Sequence, residues 1–237
     1  MNTAAAELRR PPKPLQTFPL MGTPLYRHII WDWNGTLLDD LDLSIDVMNG
    51  MLRRRNLPLL DRASYHRIFD FPVRTYHERA GLDFTTERFE DLGVEWIAAY
   101  DARRWECQLH QGAQETLRCI QKAGLTQSVL SAYRQETLSE IVGHFGLTPY
   151  FKRILGLDNI YAHSKAELGR TWVAEIGLPP GEILLIGDTL HDLDVAQAIG
   201  VDCVLVACGH HPEARLRSRS DRVLADLSGL SEWPGLT

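Results

Sequence analysis

A Rossmann-like α/β fold, with a parallel sheet, helices on both faces and an inserted α-helical segment, is the class this sequence predicts. Three observations carry that expectation. After Gly112, short apolar runs alternate with segments of helical period, the pattern of strands joined by crossover helices. Between residues 40 and 110 the apolar spacing is helical, with no convincing period-two segment. The 237 residues are 44% hydrophobic and 24% charged, which is ordinary for a folded chain long enough to bury a substantial core.

The elements follow in order. His28-Ile29-Ile30-Trp31 reads as the first strand, ending at Asp32-Trp33-Asn34-Gly35-Thr36, where Gly35 marks a sharp exit. In the inserted segment Val47, Met51 and Leu52 share one helical face, and Phe89, Leu92, Trp96 and Tyr100 repeat at helical spacing. Residues 113–123 read as a helix that Gly124 can cap. Ser128-Val129-Leu130 is a short buried strand leading to Ser131. Leu138, Ile141, Val142 and Phe145 form the next helical face, with Gly146 as the stop, and Ile154-Leu155 precede a loop. Ser164-Lys165-Ala166-Glu167 fits a capping box opening a helix that carries Trp172, Val173 and Ile176. Pro179-Pro180-Gly181 breaks the chain before the buried strand Ile183–Ile186, bounded by Gly187. A helix over Leu193–Ile199 closes at Gly200, and Val204–Val206 is the next strand. The expected organisation is a flexible tail over 1–25, a Rossmann-like core over 26–39 and 111–237, and a helical insert over 40–110.

Composition excludes disorder, collagen and coiled coil for the chain as a whole. The net charge of −6 argues against a protein built to grip nucleic acid. Residues 1–28 carry +3, which leaves an acidic body of −9 that suits cation binding, although an acidic surface would give the same count. Of the four cysteines, Cys203 and Cys208 read as buried thiols, and no pattern calls for an oxidising compartment. No stretch approaches the ~18 apolar residues of a membrane span, and the start lacks a secretory core. A cytoplasmic protein without nucleic-acid or membrane partners is the expectation; nothing in the sequence sets an oligomeric state.

Parallel sheets bind ligands at the carboxyl ends of their strands. The residues to inspect there are Asp32, Asn34, Ser131 and Asp188, with Lys165 on the same rim. Each has an ordinary reading. An aspartate after a strand is a turn or cap residue, Ser131 is structural, and Lys165 is a solvated helix end. In the turn Gly187-Asp188-Thr189-Leu190-His191-Asp192, Asp192 could be a helix N-cap. Taken together, several carboxylates need a cation between them, and oxygen donors suit Mg²⁺. A lysine and a hydroxyl beside such an ion make a phosphate cradle fit for phosphoryl transfer.

The order of these pieces resembles the haloacid dehalogenase-like hydrolase superfamily. Asp32-Trp33-Asn34-Gly35-Thr36-Leu37 is similar to its first motif, Ser131 to its second, Lys165 to its third and the Gly187–Asp192 turn to its fourth. The likeness spans about residues 27–230, lies nearest the phosphoglycolate phosphatase-like branch, and makes the insert a C1 cap. It implies that Asp32 attacks phosphorus and becomes an aspartyl phosphate. It further implies that Asp32, the backbone carbonyl of Asn34 and Asp188 hold Mg²⁺, with Asp192 orienting metal-bound water or a second ligand. Ser131 and the N–H of Ala132 would bind phosphate oxygens, and Lys165 would neutralise nucleophile and phosphate.

Asn34 departs from the motif, which has an aspartate there to protonate the leaving oxygen and then activate water. An amide does neither, a loss worth ~10²–10⁴-fold. The resemblance therefore implies a slow or specialised Mg²⁺-dependent phosphatase acting on a small phosphorylated metabolite. Two alternatives stand beside it: a phosphate-ester-binding module without turnover, and a C–X bond hydrolase needing no leaving-group acid. His191 and His210 are candidate substitute donors. Within the cap, Arg74 and His77 could reach an anionic substrate, against the ordinary reading of a solvated helix face. Arg53-Arg54-Arg55 reads as solvated surface, and Trp31 and Trp33 as packing.

Overall fold

The computed structural model describes residues 25–157 and 165–233. The expected tail, Leu25 apart, and the Ser164 side of the expected capping box lie outside those residues. The main sheet has six strands: β1 (His28–Trp31), β4 (Thr126–Arg134), β5 (Arg153–Leu157), β6 (Ile183–Gly187), β7 (Asp202–Val206) and β8 (Val223–Leu224). Their order is β5-β4-β1-β6-β7-β8 and every neighbouring pair is parallel. β1 is paired along both edges, by β4 and β6, and packed on both faces, which is why it is almost wholly apolar in sequence.

Side-chain alternation splits the core into two layers. Ile29, Trp31, Val129, Leu184 and Ile186 pack on one face of the sheet. Ile30, Leu130, Leu185 and Leu205 pack on the other. Trp31 and Trp33 are fully buried, in keeping with their reading as packing residues. Cys203 is buried and Cys208 half-buried, and both are free thiols.

The helical insert leaves the core through β2 (Leu38–Asp39) and returns through β3 (Gln108–Leu109), which pair antiparallel. Two residues a strand are too few to register as alternation, so this second sheet was invisible to the pattern reading. Between the two strands lie α1 (Leu41–Arg54), α2 (Arg62–Ile68), α3 (Val73–Arg79) and α4 (Phe89–Arg103). Their shared core includes Leu41, Ile45, Met48 and Leu52, one stripe of α1. Arg55 ties the insert together, its guanidinium bonding Glu87 at 2.6 and 2.7 Å and Glu95 at 2.7 Å. Arg53 and Arg54 are exposed, as expected of a solvated run, and only Arg55 is drawn in as bracing.

The remaining helices are α5 (Ala113–Lys122), α6 (Gln135–His144), α7 (Lys165–Ile176), α8 (Leu190–Ile199) and α9 (Glu213–Arg217). Two expectations need correction. β4 runs to Arg134 instead of stopping at Leu130. Its register against β5 shifts between Leu130 and Arg134, so Ser131 and Ala132 sit on an irregularity inside the strand. At α8 the N-cap is Thr189, and Asp192 is the third helical residue of its capping box. Among the described residues no helix is long and apolar enough to cross a membrane.

Candidate active site

Asp32 leaves the carboxyl end of β1 with its N–H bonded to Ile186 O of β6 at 2.9 Å. The adjoining strand therefore delivers Asp188 to the same rim. α7 opens there with Lys165, and α8 begins just beyond Asp188. Lys165, only 3% exposed, joins two of the segments: its Nζ donates to Asp32 Oδ1 at 2.5 Å and to Asp192 Oδ1 at 2.7 Å. Thr36 Oγ1 lies 3.1 Å from both Asp32 Oδ2 and Asp188 Oδ1. The other oxygen of Asp188 accepts the His210 N–H at 2.6 Å. Gly35 and Gly209 make that approach feasible, because a Cβ at either position would run into the Asp188 carboxylate. Gly35 also has φ +74°, a left-handed conformation that glycine adopts without strain.

Asp32, Asp188 and Asp192 are all buried and offer carboxylate oxygens within 4.8 Å of one another. Burial disfavours their charged forms. It pushes Asp32 up to about 6, against the pull of Lys165, and Asp188 up to about 8. Burial would raise Asp192 as well, but its contact with Lys165 outweighs this and holds it below the usual range. Lys165 is itself buried, yet Asp192 and Asp32 keep it firmly protonated. Lys165 thus serves two of the three carboxylates, and the cation nearest Asp188, His210, is shared with Asp40. That deficit of positive charge, in an all-oxygen donor set, fits a hard divalent cation.

Asp192 does two further things. Its Oδ2 accepts from Thr189 N at 3.0 Å and from Thr189 Oγ1 at 2.6 Å, which starts α8. Both its oxygens are therefore in use. Ser131 is buried two residues past Val129, the partner of Trp31, and its Oγ accepts the Tyr133 N–H at 3.1 Å.

Asn34 faces the insert. Its Nδ2 donates to Asp40 Oδ2 at 2.9 Å and to Tyr100 Oη at 2.8 Å. Tyr100 in turn donates to Asp40 Oδ2 at 2.7 Å. Asp40 Oδ1 accepts from Gly35 N at 2.8 Å and lies 3.3 Å from His210 Nε2. His210 is buried, which alone would lower its pKa, but Asp40 raises it to about 9 and makes it a cation. The amide is thus one corner of a polar cluster joining core to insert.

Arg74 stands apart from this site. Its guanidinium lies 4.4 Å over the Phe84 ring and 3.5 Å from Glu78, and its side chain is half exposed. His77 lines the cavity above the site, where burial lowers it to about 4 and leaves it neutral. His191 stacks on Phe71 at 4.4 Å and burial lowers its pKa too. Sequence reasoning missed Thr36, Asp40, Tyr100 and Gly209. The residues after β7 lie on the same rim as those after β1 and β6, so the strand-end rule could have reached Gly209. Nothing local marks Asp40, whose role depends on Asn34 and Tyr100 meeting it in space.

Residues 29–206 match the family pattern of the haloacid dehalogenase-like hydrolases. Among curated proteins, the tyrosine-protein kinase PtkA of Mycobacterium tuberculosis is 26% identical over 86% of this chain and 70% of its own length. A phosphoglycolate phosphatase of Pseudomonas savastanoi is 23% identical over 81% of this chain and 73% of that protein. The solved structure of a haloacid dehalogenase-like family protein from Streptococcus pneumoniae superposes with a TM-score of 0.75 at 18% identity. That likeness covers 87% of this chain and 97% of the other.

Proposed function

The chain belongs to the haloacid dehalogenase-like hydrolases, and from that premise we propose that it is a Mg²⁺-dependent phosphatase of a small phosphorylated metabolite, with Asp32 as nucleophile. The observation that carries the reading is Lys165 Nζ bridging Asp32 and Asp192 beside Asp188, with three chain segments converging on one buried point. The named activities of the two curated relatives, a phosphatase and a kinase, both move phosphoryl groups.

Asp32 attacks phosphorus with a carboxylate oxygen, the ester P–O bond breaks, and the leaving oxygen departs with the electron pair. Lys165 holds Asp32 in line and keeps it ionised, while Ser131 Oγ and the Ala132 N–H take phosphate oxygens. Asp188, Asp32 and the Asn34 carbonyl would hold Mg²⁺, with Asp192 fixing Lys165 and supporting the ion's outer contacts. The ion supplies neutralisation of the charge that gathers on the transferred phosphoryl group. Water then cleaves the aspartyl phosphate. The helical insert acts as the cap that excludes bulk water during transfer. Arg74 drops out of the proposed substrate contacts, because it does not line the cavity and its guanidinium lies over Phe84 and Phe89 beside Glu78.

Neither N–H of Asn34 is free to serve the leaving oxygen, and an amide cannot supply a proton to it. Turnover of unactivated esters is therefore slow, and activated phosphates go faster. A buried acidic trio needing a cation favours phosphoryl chemistry over carbon–halogen cleavage. The test is hydrolysis of para-nitrophenyl phosphate. Activity that requires Mg²⁺ and vanishes in Asp32→Asn supports the proposal; activity indifferent to both overturns it. Binding of phosphate esters with no turnover of any would favour the non-hydrolytic alternative.

A further inference from the structure

Above the catalytic rim lies a cavity of about 190 Å³ that reaches Asn34 and Ala132 below and is walled on its other side by the insert. A cavity of ~150 Å³ takes one benzene ring, so this space has room for a ring. Its walls are mainly aromatic and aliphatic, among them Phe69, Phe71, Tyr76, Trp96, Ile97 and Tyr133.

Charge in the lining offers little to a second anion: the buried cation His210 lies 3.3 Å from Asp40, which neutralises it, and Asp101 accepts from Tyr133 Oη at 2.5 Å. The one arginine among the described lining residues, Arg134, is half exposed and lies 3.8 Å from Glu136. His77 is neutral.

We infer that the group esterified to phosphate is an aromatic or otherwise apolar body carrying no negative charge. This rests on the phosphatase reading for the placement of the phosphate, and it sets the chain apart from an enzyme for a carboxylated ester such as phosphoglycolate.

Two non-hydrolysable probes decide it without turnover. Titration calorimetry of the full chain with Mg²⁺ compares benzylphosphonate with phosphonoacetate. The expected result is benzylphosphonate tighter by about tenfold or more, the scale set by filling an apolar site. Equal affinity, preference for phosphonoacetate, or failure of both to bind overturns the inference. Gly93→Leu supplies the second arm. Gly93 lies in α4 on the cavity wall, and a Cβ there meets nothing within 4 Å, so leucine enters open space and improves helix propensity. The variant should lose benzylphosphonate affinity by about tenfold relative to phosphonoacetate; an unchanged ratio places the ring elsewhere and contradicts the inference. Acetyl phosphate hydrolysis on the same preparation separates the two claims. No Mg²⁺-dependent hydrolysis together with a retained benzyl preference defeats the phosphatase reading alone, whereas hydrolysis without that preference defeats the cavity inference alone.

Discussion

At the scale of single residues, Asn34 and Asp40 form a pair whose chemistry is shared. A carboxylate placed at 34 would lie against Asp40 Oδ2, now 2.9 Å from the Asn34 amide. Two like charges so close cannot both ionise, and one would keep a proton. A retained proton is what the leaving oxygen lacks in the parent, so Asn34→Asp, alone or with Asp40→Asn, should raise hydrolysis of alkyl phosphates by about tenfold to a hundredfold, within the range of positioned acid–base catalysis. Steady-state rates on glycerol phosphate check this. If both variants match the parent, the account of Asn34 is wrong. The structure also explains which residues could be read in advance. Asp32, Lys165 and Asp188 each stand at a strand or helix end, so one-dimensional pattern places them. Thr36, Asp40 and Tyr100 act through contacts made across the fold, such as the 2.7 Å bond from Tyr100 to Asp40, and spacing carries no sign of those.

At the scale of elements, close packing around Asp188 gives a sharp expectation. Gly209 follows β7, and an added Cβ would collide with the Asp188 carboxylate and the Gly35 carbonyl. Gly209→Ala should cost ~1–3 kcal/mol by overpacking and displace the carboxylate from its place. Denaturant unfolding reads the first effect, and Mg²⁺ titration reads the second. The insert answers to a different force. Arg55→Met removes bonds to Glu87 and Glu95 and should lower stability by about 1 kcal/mol, less so in high salt. A salt-independent loss would point instead to packing of the arginine stem. The elements themselves were legible wherever burial imposes a period. β1 and β6 are buried throughout, α1 shows its stripe, and Gly124, Gly146 and Gly200 fall just past the helices they end. The β4 irregularity was not legible, because a register shift is set by the partner strand rather than by β4's own residues.

For the molecule as a whole, the metal-free site should destabilise the fold as pH rises. Asp188 and His210 are raised to about 8 and about 9. Between pH ~6.5 and ~8.5 the native state therefore holds more protons than the unfolded chain, and stability falls across that window. His28, His77 and His211, each lowered to about 4 by burial, act in the opposite sense but only below their unfolded value near ~6.5. Melting temperatures without metal should thus drop from the lower to the upper pH. Mg²⁺ should raise the melting temperature most at the upper pH, where Asp188 is ionised. A metal-free melting temperature that climbs with pH in this window would mean the trio is not under the charge strain described. The central claim is that Asp32 takes the phosphoryl group, and it has a direct measurement. Because Asn34 cannot activate water, the aspartyl phosphate should persist once an activated donor has formed it. Acid-quenched protein mixed with acetyl phosphate and Mg²⁺ should gain the mass of one phosphoryl group on the peptide bearing Asp32, and chelator or Asp32→Asn should abolish the gain. A phosphoryl group found on another residue, or formed equally in Asp32→Asn, would contradict the account.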